Sequence, residues 1–215
     1  MRWAGNGELA TPAVRPITVW LAVVLGFDVA VQVVRLQQTD PSAWLFWDYT
    51  SRIGALVLLA IDPDVRAAVF RRGRLQISLA IVINWGLLLI PIAWGAVIAG
   101  HVWTAFLPDL RLGFYPRPEG WLRIFDLTFG IALVAWHEEI VFRRAMRLVL
   151  RDLGDGRAMI LASGVLFGAY HWWTGMPNMI CAGVFGLVFM RVYCRSGALW
   201  PIVVIHYLAD FWAFI

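Results

Sequence analysis

One stretch of this 215-residue chain reads Trp136-His137-Glu138-Glu139-Ile140-Val141-Phe142-Arg143-Arg144. Two adjacent carboxylates and two adjacent arginines follow directly on a strongly apolar run. On an α-helix Glu139 and Arg143 stand at i,i+4 and share a face, so they are expected to pair. Glu138 is turned about 100° away and is expected to remain free for other work. Further on come Phe167-Gly168-Ala169-Tyr170-His171 and His206-Tyr207-Leu208-Ala209-Asp210, the latter with His206 and Asp210 again at i,i+4. A free carboxylate near imidazoles is the equipment for activating a water and stabilising the oxyanion of a peptide bond under attack. No serine or cysteine stands beside a candidate base, so a covalent acyl-enzyme lacks its nucleophile. The plain alternative is a helix that ends at a charged rim and two ordinary core histidines. Neighbouring glutamates are unnecessary for ending a helix, and three such coincidences on three segments argue for one site.

The elements that must position these residues follow from composition. The chain is 61% hydrophobic and 15% charged, against roughly 45–50% and about 25% for a soluble domain. This excludes a disordered chain, a disulfide scaffold and an ordinary soluble globule, and indicates a membrane protein. A helix needs about 20 mostly apolar residues to cross the hydrocarbon core. Seven runs qualify, at residues 16–34, 43–61, 76–99, 122–150, 158–172, 178–194 and 198–215. The expected fold is an all-α polytopic transmembrane helical bundle of about seven helices. The long uninterrupted apolar runs exclude a β-barrel. There is no repeat and no linker, so residues 1–215 are expected to form a single transmembrane domain, with N-terminal helices in 1–121 and catalytic core helices in 122–215.

All 18 basic residues are arginine, and the net charge is +4. Nothing forms a basic stripe interleaved with aromatics, so no nucleic-acid partner is expected. With the N-terminus inside, thirteen arginines fall on the inner side. Arg35, Arg111, Arg117 and Arg123 fall on the outer side, and Arg52 lies within a span. This positive-inside bias places the N-terminus in the cytoplasm and, with seven spans, the C-terminus outside. Met1 to Arg15 is polar and runs into the first apolar stretch without a cleavage site, so it reads as the lead into a retained helix. Cys181 and Cys194 lack ligand spacing and read as packed thiols.

Ionisable groups within spans are costly and each is a candidate. Asp48 and Arg52, four apart on one face, read as a structural pair. Asp28 and Asn84 read as hydrogen-bonded inside the bundle, and His101 and Asp126 as groups in water near the outer interface. Depth supports convergence of the rest. Glu138 lies 12 residues from Leu150, His171 13 from Ala158 and His206 11 from Arg195. At the α-helical rise these are about 18, 20 and 17 Å, within one helical turn of each other. Gly164, Gly168, Gly183 and Gly186 would let the helices around them approach closely.

In these residues the chain resembles the CPBP family of CaaX-protease and bacteriocin-processing intramembrane proteases. That family carries Glu-Glu-x-x-x-Arg, then Phe-x-x-x-His, then His-x-x-x-Asn or Asp on successive helices. Glu138, Glu139 and Arg143 match the first motif, Phe167 and His171 the second, and His206 and Asp210 the third. The resemblance covers about residues 124–215, and the first three helices carry no signature. It implies an intramembrane endopeptidase in which Glu138 activates a water also held by His171. His206, supported by Asp210, would face the oxyanion, while Glu139 and Arg143 lock the helix. The prenyl endopeptidases of the family have Asn where this chain has Asp210. An ionised carboxylate cannot donate to an oxyanion, so Asp210 acts either protonated or as an acceptor that orients His206.

No cofactor is expected from the favoured reading. Zinc stays open as a rival, because Glu138, His171 and His206 make a carboxylate-plus-two-histidine set. His137-Glu138 does not begin a zincin motif, since Val141 stands where its second histidine would be. Two other classes compete. A transporter would show repeated halves with interrupted helices, which are absent here, and a scaffold would not need polar groups at one depth. The expected partners are the lipid bilayer and a membrane-associated protein or peptide substrate. The resemblance permits prenylated CaaX-like tails, bacteriocin leaders, or the C-terminal sorting tails cut by myxosortase-like members. The compact chain and its arginine usage point to a bacterial inner (cytoplasmic) membrane.

Overall fold

A computed structural model describes residues 14–70, 102, 112–151 and 156–215. The expected span at 76–99, with Asn84, lies outside the described residues, as do His101, Met1 to Ala13 and the arginines at 2, 71, 72, 74 and 111. The described residues contain helices and no strand.

Helix α1 (Val14–Leu36) and helix α2 (Pro41–Ile61) form an antiparallel pair, followed by the short α3 (Pro63–Val69). Local chemistry sets the starts of the last two. The Asp40 carboxylate accepts from the Ala43 amide at 2.9 Å, with Pro41 just inside the helix. Asp62 accepts from the amides of Asp64 and Val65 at 2.9 and 3.1 Å, with Pro63 next. A carboxylate cap followed by proline satisfies orphan donors where the ring's missing N–H is no loss.

Residues 120–150 form one long helix, α4, interrupted twice. Asp126–Gly130 and Ile140–Ala145 are π-helical, leaving Ile131–Glu139 as the α-helical stretch that carries both glutamates. Helix α5 (Gly156–Tyr170), a 3₁₀ turn (Trp172–Thr174), α6 (Met176–Ser196) and α7 (Trp200–Phe214) complete the bundle. Gly197 ends α6 in the left-handed region at φ 66°, its N–H bonded to the Tyr193 carbonyl at 2.9 Å, the usual glycine stop. The six expected spans that fall on described residues are all helical. The one at 158–172 stops at Tyr170, so His171 sits just beyond a helix C-terminus instead of within a continuous span.

Helix α5 lies along α6, α1 along α2, and α7 against the middle of α4. The α5–α6 contact depends on glycine. A Cβ at Gly168 would stand 2.6 Å from the Met179 carbonyl oxygen and 3.1 Å from the Gly183 Cα, so only glycine allows this approach. The core runs from Ile17, Leu21 and Val24 through Ala55 and Leu59 to Val141, Phe142, Phe189, Met190 and Ile202.

Burial is inverted relative to a water-soluble fold. Val19, Val23, Phe46, Ile53 and Val57 point outward, while Asp28, Asp48, Arg52, His137, Glu138, Glu139 and Arg143 are buried. In lipid this is the low-energy arrangement, since charge faces the bundle interior. Three helices, Pro16–Leu36, Pro41–Ile61 and Met176–Ser196, are long and apolar enough to cross a bilayer. The protein is an all-α integral membrane bundle.

Candidate active site

The Ile131–Glu139 stretch of α4 aims consecutive side chains at three neighbours. Glu139 pairs with Arg143 as its i,i+4 spacing predicts, Oε2 lying 2.9 Å from Nε. The Arg143 guanidinium also lies over the rings of Phe167 and Phe189, 4.5 and 5.5 Å from their centroids. An apolar box with one carboxylate thus holds a fully buried cation.

Glu139 has a second partner. Its Oε1 accepts from His206 Nδ1 of α7 at 2.9 Å. This fixes the ring and turns Nε2 toward Glu138 Oε2 at 3.8 Å and Asp210 Oδ2 at 3.4 Å. The orienting acceptor expected of Asp210 is therefore supplied at closer range, and on the other ring nitrogen, by Glu139. His171 Nδ1 donates to its own helix's Phe167 carbonyl at 2.8 Å. That bond leaves Nε2 as the ring's free acceptor, and His171 lies close enough to interact electrostatically with Glu138. The Phe167 ring stands beside both histidines, 4.8 Å from His171 and 6.3 Å from His206. All six expected residues thus gather at one place: Glu138, Glu139, Arg143 and His206 at the centre, with Asp210 and His171 around them.

Two expectations are corrected and a third is extended. Glu138 is not free. Arg52 of α2 donates from Nη1 to its Oε1 at 2.9 Å, while Glu138 Oε2 is buried with no hydrogen-bond partner among the described residues. Arg52 does pair with Asp48 as expected, Nε to Oδ2 at 3.0 Å, and its Nη1 also reaches Glu138. The i,i+4 spacing accounts for its charge so completely that this second contact leaves no trace in it. Finally, Asp126 is not in water. It is 3% exposed and accepts hydrogen bonds from the hydroxyls of Tyr49 and Tyr115 at 2.6 and 2.7 Å. Two tyrosines, 77 and 11 residues away in the chain, bury what residue counting alone leaves at an interface.

The neighbourhood of Glu138 extends into α1. Arg52 Nη1 lies 3.2 Å from His137 Nδ1, and because a guanidinium only donates, Nδ1 accepts. His137 Nε2 then faces Asp28 Oδ2 at 3.2 Å, and Ser51 donates to Asp28 Oδ1 at 2.6 Å. Asp28 is thus hydrogen-bonded inside the bundle, as expected. A zinc set fares less well. Among the described residues no three His, Cys, Asp or Glu side chains converge as ligands would. The Arg52 cation also occupies one oxygen of Glu138, where a divalent ion would meet like charge. Glu138, His171 and His206 as arranged do not fit the metal.

Residues 119–212 match the family model described as type II CAAX prenyl endopeptidase Rce1-like. The match takes in nearly all of α4 to α7 and every residue of the three motifs. No curated protein and no solved structure matches the chain.

Proposed function

The Rce1-like segment at 119–212 makes this chain a member of the CPBP/CAAX protease family, and from that premise we propose a glutamate-activated intramembrane endopeptidase. The observation that carries the reading is the state of Glu138: a buried carboxylate with Oε1 held and Oε2 unpartnered, facing an imidazole nitrogen 3.8 Å away. Glu139 Oε2 and Asp28 Oδ2 also lack a hydrogen bond, but they face Arg143 Nε and His137 Nε2 at 2.9 and 3.2 Å. Glu138 Oε2 instead faces His206 Nε2 at 3.8 Å, which leaves room for a reacting water.

In this mechanism a water lies against Glu138 Oε2 and gives one hydrogen bond to His171 Nε2. Glu138 takes a proton from the water as its oxygen attacks the scissile carbonyl carbon. His206 acts as the imidazolium: with Nδ1 held by Glu139, its Nε2–H donates to the oxyanion that forms. Glu138 then returns its proton to the amine nitrogen as the C–N bond breaks, leaving a free acid and a free amine. Arg143 keeps Glu139 in register with His206. Asp210, at 3.4 Å from Nε2, completes the wall of the site.

The substrate class we assign is a membrane-associated protein or peptide, cut near a C-terminal tail or a leader. The setting is a bacterial cytoplasmic membrane with the N-terminus inside, and the whole chain forms one transmembrane domain whose catalytic helices lie within 122–215. The test is mass spectrometry of membrane proteins from cells carrying the wild type or Glu138→Gln. A new C-terminus produced only by the wild type supports the reading, and identical termini in both overturn it. Cleavage by purified protein is expected to survive exhaustive chelation. Loss on chelation with recovery on added zinc would replace the glutamate mechanism with a metal one.

A further inference from the structure

We propose that Arg52 is a positioning residue for Glu138, so that the hydrolytic site is completed by a helix outside the segment that matches the family. The inference rests on the glutamate reading above and deepens it.

Three contacts fix the Arg52 guanidinium. Nε binds Asp48 Oδ2 at 3.0 Å, and Nη1 reaches both Glu138 Oε1 at 2.9 Å and His137 Nδ1 at 3.2 Å. The anchor behind it is equally held. The other oxygen of Asp48 pairs with Arg35, whose guanidinium lies between the rings of Trp44 and Trp173, 4.2 and 4.5 Å from their centroids. The ladder Glu138–Arg52–Asp48–Arg35 therefore runs from the proposed base back to an aromatic clamp, with every member buried. A planar fork bound at both Nε and Nη1 cannot swing.

Two consequences follow for Glu138. A carboxylate 3% exposed in an apolar bundle needs an adjacent cation to persist as the ion a general base must be. The nearest cation is Arg52 at 2.9 Å; His206 stands farther off at 3.8 Å, and both it and Arg143 are engaged by Glu139. Arg52 also chooses between the two carboxylate oxygens. It binds Oε1 alone, so Oε2 is presented to the His206 side. Arg35, Asp48 and Arg52 all precede residue 119, and the matching segment does not supply this arrangement.

The test uses the full-length protein in lipid nanodiscs at neutral pH. Infrared difference spectra, each taken against the same protein carrying Glu138→Gln, isolate the Glu138 signal. Wild type and Arg52→Lys are expected to show the carboxylate stretch, and Arg52→Gln the carbonyl stretch of the protonated acid. Cleavage of an internally quenched farnesylated CaaX peptide is the second readout. Arg52→Gln is expected to lower kcat about 100-fold at unchanged KM, with partial recovery in Arg52→Lys. If Arg52→Gln does not accumulate, Arg35→Gln/Asp48→Asn/Arg52→Gln removes the whole ladder behind Glu138, leaves no guanidinium there without its anion, and gives the same spectrum. A carboxylate signal that survives removal of the Arg52 charge overturns the proposal, as does a loss that appears in KM alone. Activity retained by Glu138→Gln sinks the glutamate reading instead, while the infrared spectra still report on Arg52.

Discussion

Asp48 and Glu138 are both buried carboxylates, and both lean on the same arginine, yet they are finished differently. Asp48 has each oxygen matched, Oδ1 to Arg35 and Oδ2 to Arg52. Glu138 has Oε1 matched by Arg52 and Oε2 left without a hydrogen bond. The first is a closed ion pair of the kind that holds helices in register. The second carries the same desolvation cost with one lone-pair face unused. Between these two carboxylates it is completeness of pairing, and not burial or charge, that differs.

That contrast can be broken from either side. The largest effect is expected from Glu138→Gln, which should lower kcat about 10⁴-fold. The fold should survive, because Arg52 keeps Asp48; melting in detergent alongside turnover checks both. Asp48→Asn should show the reverse weighting. It leaves two buried guanidiniums short of an anion and should cost about 3–5 kcal/mol, read by unfolding in mixed SDS micelles. If Asp48→Asn proved harmless while Glu138→Gln unfolded the protein, the assignment of roles would be inverted. Gly168→Ala tests the frame around the site. Its Cβ would meet the Met179 carbonyl at 2.6 Å, which should cost about 1–3 kcal/mol and shift His171, with a fall in turnover to match. The smallest change is expected at the closed Asp126 site. Tyr115→Phe removes one of two donors and should cost about 1 kcal/mol with turnover unchanged.

The helices were legible because lipid demands long apolar runs, and six of the expected spans recur within a few residues. The three motifs were legible because Glu138, Glu139, Arg143, His171, His206 and Asp210 are chemically out of place in such runs. What could not be read is cross-helix partnership. Arg52 seemed fully explained by Asp48 four residues away, and only the packing of α2 on α4 reveals its bond to Glu138. Asp126 looks terminal because its donors come from outside its helix, Tyr115 from the segment before it and Tyr49 from α2. The π-helical stretches at Asp126–Gly130 and Ile140–Ala145 escaped for a related reason. Each widens the helix by a residue per turn, and no apolar periodicity announces it.

The buried charges of the first two helices also bear on biogenesis. Asp28, Arg35, Asp48 and Arg52 sum to zero. The hairpin α1–α2 can therefore enter lipid with its buried charges balanced. Inserting an unbalanced charge at the bilayer centre costs about 2.5–3.5 kcal/mol, so a balanced hairpin has an easier entry. At the level of the site, residues 120–150 bury Glu138 and Glu139 with Arg143, one carboxylate more than that segment pairs itself. The guanidinium that meets Glu138 stands in the hairpin. The Arg52–Glu138 bond therefore forms only when residues 120–150 dock on that hairpin.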